Sequence, residues 1–200
     1  PLANINLEDV SVLAERLAER VGGELHIPVY LYEASAKKSE RRNLAFLRAG
    51  EYEGLATKMQ QPDWTPDFGP TVFNPRSGAV VIGARNFLIA YNVNLDTTSV
   101  DIAKRIAAEV RESGRLTTNE QGQKVRIPGQ CKAVKGIGWY IDEYRKAQVS
   151  MNLTDFRVTG IHEAVEACRS SAERYGVQVT GSELIGMIPL EALRAAGVYF

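Results

Sequence analysis

Phe87-Leu-Ile-Ala-Tyr-Asn-Val-Asn-Leu95 is the stretch whose reading decides the fold. As a strand it sets Phe87, Ile89, Tyr91, Val93 and Leu95 on one face, and Leu88, Ala90, Asn92 and Asn94 on the other. One face is apolar and the other carries amides. That pattern suits a sheet covered on one side only. Ser99 or Asp101 then opens a helix with Ile102, Ile106 and Val110, closed near Gly114. Thr117 to Gly129 is a polar excursion with a turn at Asn119-Glu-Gln-Gly122. Val134–Tyr144 and Ala147–Leu153 read as a β-hairpin. Thr159 caps a helix striped by Ile161, Val165, Cys168, Ala172 and Tyr175. Val177–Thr180 and Glu183–Ile188 supply the last strand region, and Pro189 opens a final helix. The order from Phe87 is β-α-β-β-α-β, the ferredoxin-like arrangement.

Upstream, Asn6 with Glu8 and Asp9 has the form of a helix N-cap with acids in the first turn. Val10, Leu13, Leu17 and Val21 follow at helical spacing and predict the buried stripe. Ile27–Tyr32 and Ala79–Ile82 read as strands, and Asn43–Arg48 and Glu51–Met59 as short helices. One long helix and two strands cannot close a core by themselves. The fold class is therefore α/β (α+β), with residues 84–200 forming a ferredoxin-like domain and residues 1–83 the end of a second α/β unit. Between the strands of the first part lies Gln60 to Gly78, with Pro62, Pro66, Pro70, Pro75 and two glycines. It can continue neither helix nor central strand. Trp64, Phe68 and Phe73 argue for an ordered, ligand-facing loop over a linker.

The 24 Lys and Arg balance the 24 Asp and Glu among 200 residues, so the chain has no basic excess with which to bind polyanions. No apolar run approaches the roughly 20 residues needed to span a bilayer. Cys131 and Cys168 form no CxxC, and neither His26 nor His162 has a metal-spaced partner, so no metal is expected. Ser182 lacks a nucleophile elbow. Gly136-Ile-Gly138 opens a strand and not a helix, so it is no nucleotide fingerprint. His26 precedes a strand and His162 falls in the first turn of a helix, and both read as packing or surface residues. Arg41, Arg42 and Arg76 offer the planar fork that suits carboxylates. In Ala147-Gln-Val-Ser-Met-Asn-Leu153 the polar set is Gln148, Ser150 and Asn152. With Asn92 and Asn94 these make a helix-free face of neutral hydrogen-bonding groups, suited to a ligand or to a subdomain interface.

A series of blocks resembles glutamate formimidoyltransferase. They are Val29-Tyr-Leu-Tyr-Glu33, Arg41-Arg-Asn-Leu44, Arg48-Ala-Gly-Glu-Tyr-Glu-Gly-Leu55, Pro66-Asp-Phe-Gly-Pro70, Gly83–Leu95, Val134-Lys-Gly-Ile-Gly-Trp-Tyr140, Gln148–Leu153 and Gly181–Leu190. The resemblance runs nearly the whole chain in one order. It implies transfer of the formimino group of N-formimino-L-glutamate to tetrahydrofolate in histidine degradation, by two α/β subdomains with a folate tunnel between them. Residues 1–83 would finish the N-terminal subdomain and 84–200 form the C-terminal one. The folate-binding run would be Gly69, Pro70, Thr71, Val72, Phe73, Asn74, Pro75, Arg76, Ser77 and Gly78. Asp67, Arg41, Arg42, Asn92, Asn94, Gln148, Ser150 and Asn152 are candidates for contacting substrate or lining the tunnel. Tetrahydrofolate is the co-substrate, with no metal, nucleic acid or membrane involved, and a cytoplasmic homodimer is expected. The family's catalytic histidine lies in a Gly-x-His-Pro-Arg-like motif that this sequence does not contain. It is expected upstream of Pro1, so the chain reads as a fragment, inactive alone. The alternative is a non-catalytic folate-binding or regulatory module.

Overall fold

The computed structural model describes residues 5–199. Pro1 and Phe200 lie outside them. The chain forms two compact units, one up to Asn86 and one from Phe87.

The first unit runs through α1 (Leu7–Glu24), β1 (Val29–Glu33), a 3-10 turn (Ser39–Arg42), α2 (Leu44–Arg48), α3 (Glu51–Lys58), a second 3-10 turn (Pro62–Trp64) and β2 (Val80–Ala84). Asn6 caps α1 by accepting the Asp9 N–H at 2.8 Å. β1 and β2 pair in parallel, from Val29 opposite Val80 to Glu33 opposite Ala84. α1 covers one face of this ribbon, where Ala18, Val29 and Leu31 are buried together. On the other face Tyr30 packs with Leu47 and Trp64. The helix stripe differs from the sequence reading. Ala14, Ala18 and Gly22 are buried, while Leu13 and Leu17 are exposed. The cause is a close backbone approach: a Cβ on Gly22 would overlap the backbone of Gly69, so α1 meets the loop through its small-residue ridge.

The second unit contains β3 (Ile89–Leu95), α4 (Val100–Val110), β4 (Arg115–Thr118), β5 (Lys124–Ile127), β6 (Val134–Ile141), β7 (Lys146–Leu153), α5 (Ile161–Arg174), β8 (Val179–Ile185) and α6 (Leu190–Tyr199). Its four-stranded sheet has the order β6-β7-β3-β8, every pair antiparallel. β3 and β6 are therefore parallel with β7 between them, and β7 and β8 parallel with β3 between them. These are two interlocked split β-α-β units. Ile89, Val93 and Leu95 of β3 and Ala147, Val149, Met151 and Leu153 of β7 form one core with α4 and α5. Gly138 of β6 is needed for that layer, because a Cβ there would overlap the Ala103–Lys104 backbone of α4.

Two local readings are corrected. The excursion after α4 forms the antiparallel pair β4–β5. All of β5 is exposed, so no buried alternation marked it. The Asn119 side chain organises its turn by accepting the Gln121 and Gln123 N–H groups. At α5 the N-cap is Gly160, whose N–H is accepted by the Glu163 carboxylate at 2.6 Å. Thr159 is buried and its hydroxyl donates instead to the Lys132 carbonyl at 2.7 Å.

α4 and α5 are joined at Glu109, which accepts hydrogen bonds from Ser171, Arg174 and Tyr175. Burial alone would raise its pKa, but these bonds hold it down to about 2. A carboxyl depressed in the native state stabilises the fold above its ordinary pKa, and loses that contribution as pH falls towards about 2. Glu109→Gln should lower the unfolding free energy at pH 7 by about 1–3 kcal/mol. In urea titrations its deficit from the wild-type chain should shrink steadily below pH 4.

Candidate functional site

The first unit's loop is ordered by a buried ion pair. Arg41 is 1% exposed. It donates to the Asp67 carboxylate at 2.8 Å, and to the Asp63 and Thr65 carbonyls at 2.8 Å each. Asp67 also accepts the Leu31 N–H at 2.8 Å. The guanidinium lies 5.0 Å from the centre of the Tyr30 ring, and the Tyr30 hydroxyl donates to the Trp64 carbonyl at 2.6 Å. Burial pushes that phenol up to about 12, so it stays a donor. Arg41 and Asp67, both candidates for substrate contact, are thus engaged with each other and with the backbone, and they hold the loop against β1. Arg42, in the same 3-10 turn, is exposed.

Beyond Gly69 the run closes on itself at Asn74. Its side chain accepts the Arg76 and Ser77 N–H groups, and its carbonyl accepts the Gly78 N–H at 2.7 Å. Tyr52 of α3 supports this turn, donating to the Pro75 carbonyl at 2.7 Å with its ring 5.5 Å from Phe73. Val72 is 74% exposed, and Thr71 and Arg76 also face outward. Beside the turn is a cleft of about 320 Å3 between Tyr30, Leu47, Tyr52, Trp64 and Gly78. The run from Gly69 to Gly78 is therefore a built loop with an exposed apolar tip and an exposed guanidinium.

The second unit's helix-free face gathers the predicted amides. β3 and β7 set Asn92 opposite Ser150, Asn94 opposite Gln148 and Ala90 opposite Asn152. Gln148 is fully buried, Asn92 nearly so, Asn94 and Ser150 partly, and Asn152 is exposed. Gln148 donates to Asn94 at 2.8 Å and accepts from the Trp139 indole at 2.7 Å. β8 brings Glu183 opposite Asn92. Hydrogen bonds from Asn92 and Tyr144 hold its carboxyl below the ordinary range, so it is a carboxylate at neutral pH. Above these residues lies a cleft of about 370 Å3, walled by Trp139, Ile141, Tyr144 and Ile185.

Other chemistry is remote from these surfaces. Cys131 and Cys168 are both buried, and burial pushes both thiols up, Cys131 to about 11. Neither is an activated nucleophile. Among the described residues no group of three or more His, Cys, Asp or Glu side chains comes together to hold a metal ion.

Comparison with known proteins assigns both units. Residues 90–200 match the model of the formiminotransferase domain, and residues 1–85 that of the formiminotransferase domain, N-terminal subdomain. The chain belongs to the formiminotransferase domain family. It is 45% identical over its whole length to the formimidoyltransferase-cyclodeaminase of Dictyostelium discoideum, spanning 36% of that protein. It is 39% identical to the glutamate formimidoyltransferase of Streptococcus pyogenes serotype M1 and 40% identical to that of Thermoplasma acidophilum, spanning 62% of each. The change between the two formiminotransferase segments falls within residues 85–90, and the division of the chain into compact units falls between Asn86 and Phe87.

Sequence reasoning missed Glu183 and Trp139 on this formiminotransferase sheet and Tyr144 in the turn between β6 and β7. The alternation argument applied to β3 and β7 would have found Trp139, since Val134, Gly136 and Gly138 share the inward phase of β6. Glu183 needed the register of β8, which no local pattern supplies. Arg41→Met would leave Asp67 buried without its partner, and should cost about 3–5 kcal/mol. Thermal unfolding and protease nicking between Asp63 and Gly78 would measure the loss.

Proposed function

We propose that this formiminotransferase chain serves glutamate formimidoyl transfer, moving the formimino group of N-formimino-L-glutamate to tetrahydrofolate in histidine degradation. Gly69 to Gly78 is its folate contact. Asn92, Asn94, Gln148, Ser150 and Asn152 line the passage for the ligands. Arg42 and Arg76 are the residues offered to substrate carboxylates. The protein acts as a cytoplasmic homodimer and needs no metal. Arg41 and Asp67 enter this function by holding the loop in place. The observation that carries the reading is the pairing of an ordered, outward-facing Gly69–Gly78 run with family membership along the whole chain.

A second reading, a folate-binding module without transfer, draws on the two histidines. The reaction asks for a group that relays protons between two amines and a tetrahedral carbon. His26 is exposed, with a left-handed backbone ahead of β1. His162 stacks on Tyr199 with ring centres 4.8 Å apart, and its Nδ1 is buried. Neither lines the two clefts described above.

Two measurements on the purified protein test these readings. Titration with 5-formyltetrahydrofolate should show saturable binding, weakened several-fold by Arg76→Ala. Failure to bind any reduced folate overturns both readings. Incubation with N-formimino-L-glutamate and tetrahydrofolate, followed by mass analysis, separates them: 5-formiminotetrahydrofolate supports transfer, and folate binding without that product supports the module. Turnover would rule out the module and show that the chain holds its own acid–base group.

A further inference from the structure

Among the described residues, Glu183 is the only carboxylate in a hydrogen-bonded floor otherwise built from neutral groups, and that floor has a direction. An indole N–H can only donate. Trp139 therefore fixes Gln148 with its oxygen towards the indole and its Nε2 towards Asn94. The same Nε2 lies a longer 3.4 Å from Glu183 Oε2. Asn92 donates to Oε2 at 3.2 Å, and the Tyr144 hydroxyl to Oε1 at 3.0 Å. Oε1 thus takes one hydrogen bond from the protein and keeps a lone pair for a ligand, while Oε2 takes two longer ones. Gln148 and Asn92 are buried whereas Glu183 is only half-buried, so the carboxylate is held from beneath and open above.

The lining of the cleft narrows the ligand. Its flat walls come from Trp139, Tyr144, Ile141 and Ile185, its second charge is Glu143, and no Lys or Arg is among the lining residues. An anionic group would meet two carboxylates there. A neutral or cationic group rich in N–H donors would not. A carboxylate takes two parallel N–H bonds from an N–C–N unit, the geometry in which it takes a guanidinium. Both substrates of the proposed reaction carry such a unit: the 2-amino and N3–H edge of the pterin ring, and the formimino group. The formimino unit is small and is attached to a molecule with two carboxylates of its own. The pterin is planar, uncharged and broad enough to use aromatic walls.

We infer that Glu183 is a specificity-determining residue that receives the 2-amino and N3–H edge of a reduced pterin, with the ring lying against Trp139 and Tyr144. The inference rests on the folate reading above and adds the ligand's orientation to it. Trp139, Gln148 and Asn92 are positioning residues for that carboxylate.

The experiment is an equilibrium titration of the purified protein and its E183Q variant with 5-formyltetrahydrofolate, and with the analogue lacking the 2-amino group. Loss of the amino group should weaken binding to the wild-type chain at least tenfold. E183Q should weaken the parent folate at least tenfold and respond little to the amino group. Unchanged folate affinity in E183Q, or an equal amino-group penalty in both chains, overturns the pairing and leaves the folate reading standing. A parallel titration with N-formimino-L-glutamate separates the two donors. If E183Q weakens that ligand alone, the pterin assignment is overturned. If the wild-type chain binds no reduced folate, the proposed function fails and the inference with it. The analogue comparison on the wild-type chain needs no variant, so indifference to the amino group there overturns the pairing even if E183Q does not fold.

Discussion

A sheet whose crossover helices all lie on one side must satisfy its other side by different means. That constraint organises the second unit. α4 and α5 take the inward residues of β3 and β7 into one apolar core. The outward residues of the same strands receive no helix. Polar groups partly removed from water need partners, and here they find them in one another, from the Trp139 indole through Gln148 to Asn94, and from Asn92 to Glu183. The result is a polar face whose buried amides are paired with one another and with Glu183. The same one-sided packing concentrates the helix–helix contact at Glu109, where one carboxylate links α4 to α5.

The first unit meets a different problem. Its irregular segment is long and proline-rich, so it cannot secure itself by a backbone ladder. A buried guanidinium does so instead. Arg41 converts two loop carbonyls and the Asp67 carboxylate into a fixed frame against Tyr30. Burying an ion pair contributes little net stability, but once it is buried, either partner alone is strongly unfavourable. The pair therefore restricts the loop to one path, and the segment from Gly69 to Gly78 leaves that frame in a defined place. A sequence-level view of Arg41 and Arg42 as equivalent binding residues dissolves here: one is interior scaffolding and the other is surface.

Much of this was legible because it is local. The Asn6 cap and the alternation of β3 and β7 follow from residues within a turn or two of one another. The β4–β5 pair escaped notice because its residues face water on both sides and leave no periodic trace. The α1 stripe was misplaced because apolar bulk is a poor guide where two backbones must touch, and at Gly22 they do. Thr159 was read as a cap from its type. Its hydroxyl answers a carbonyl at Lys132, 27 positions away.

The amino-acid sequence by itself determined the α+β class, the β-α-β-β-α-β order of the second unit and which side of its central strands would carry amides. Periodicity and capping are properties of neighbouring residues. Only the tertiary structure decided which of those polar groups meet, and it brought Glu183 to Asn92 across 91 positions of chain. It also turned Arg41 inward and left Arg76 outside. Strand register and buried charge pairing are settled by contacts between distant segments, and no local pattern of residues contains them.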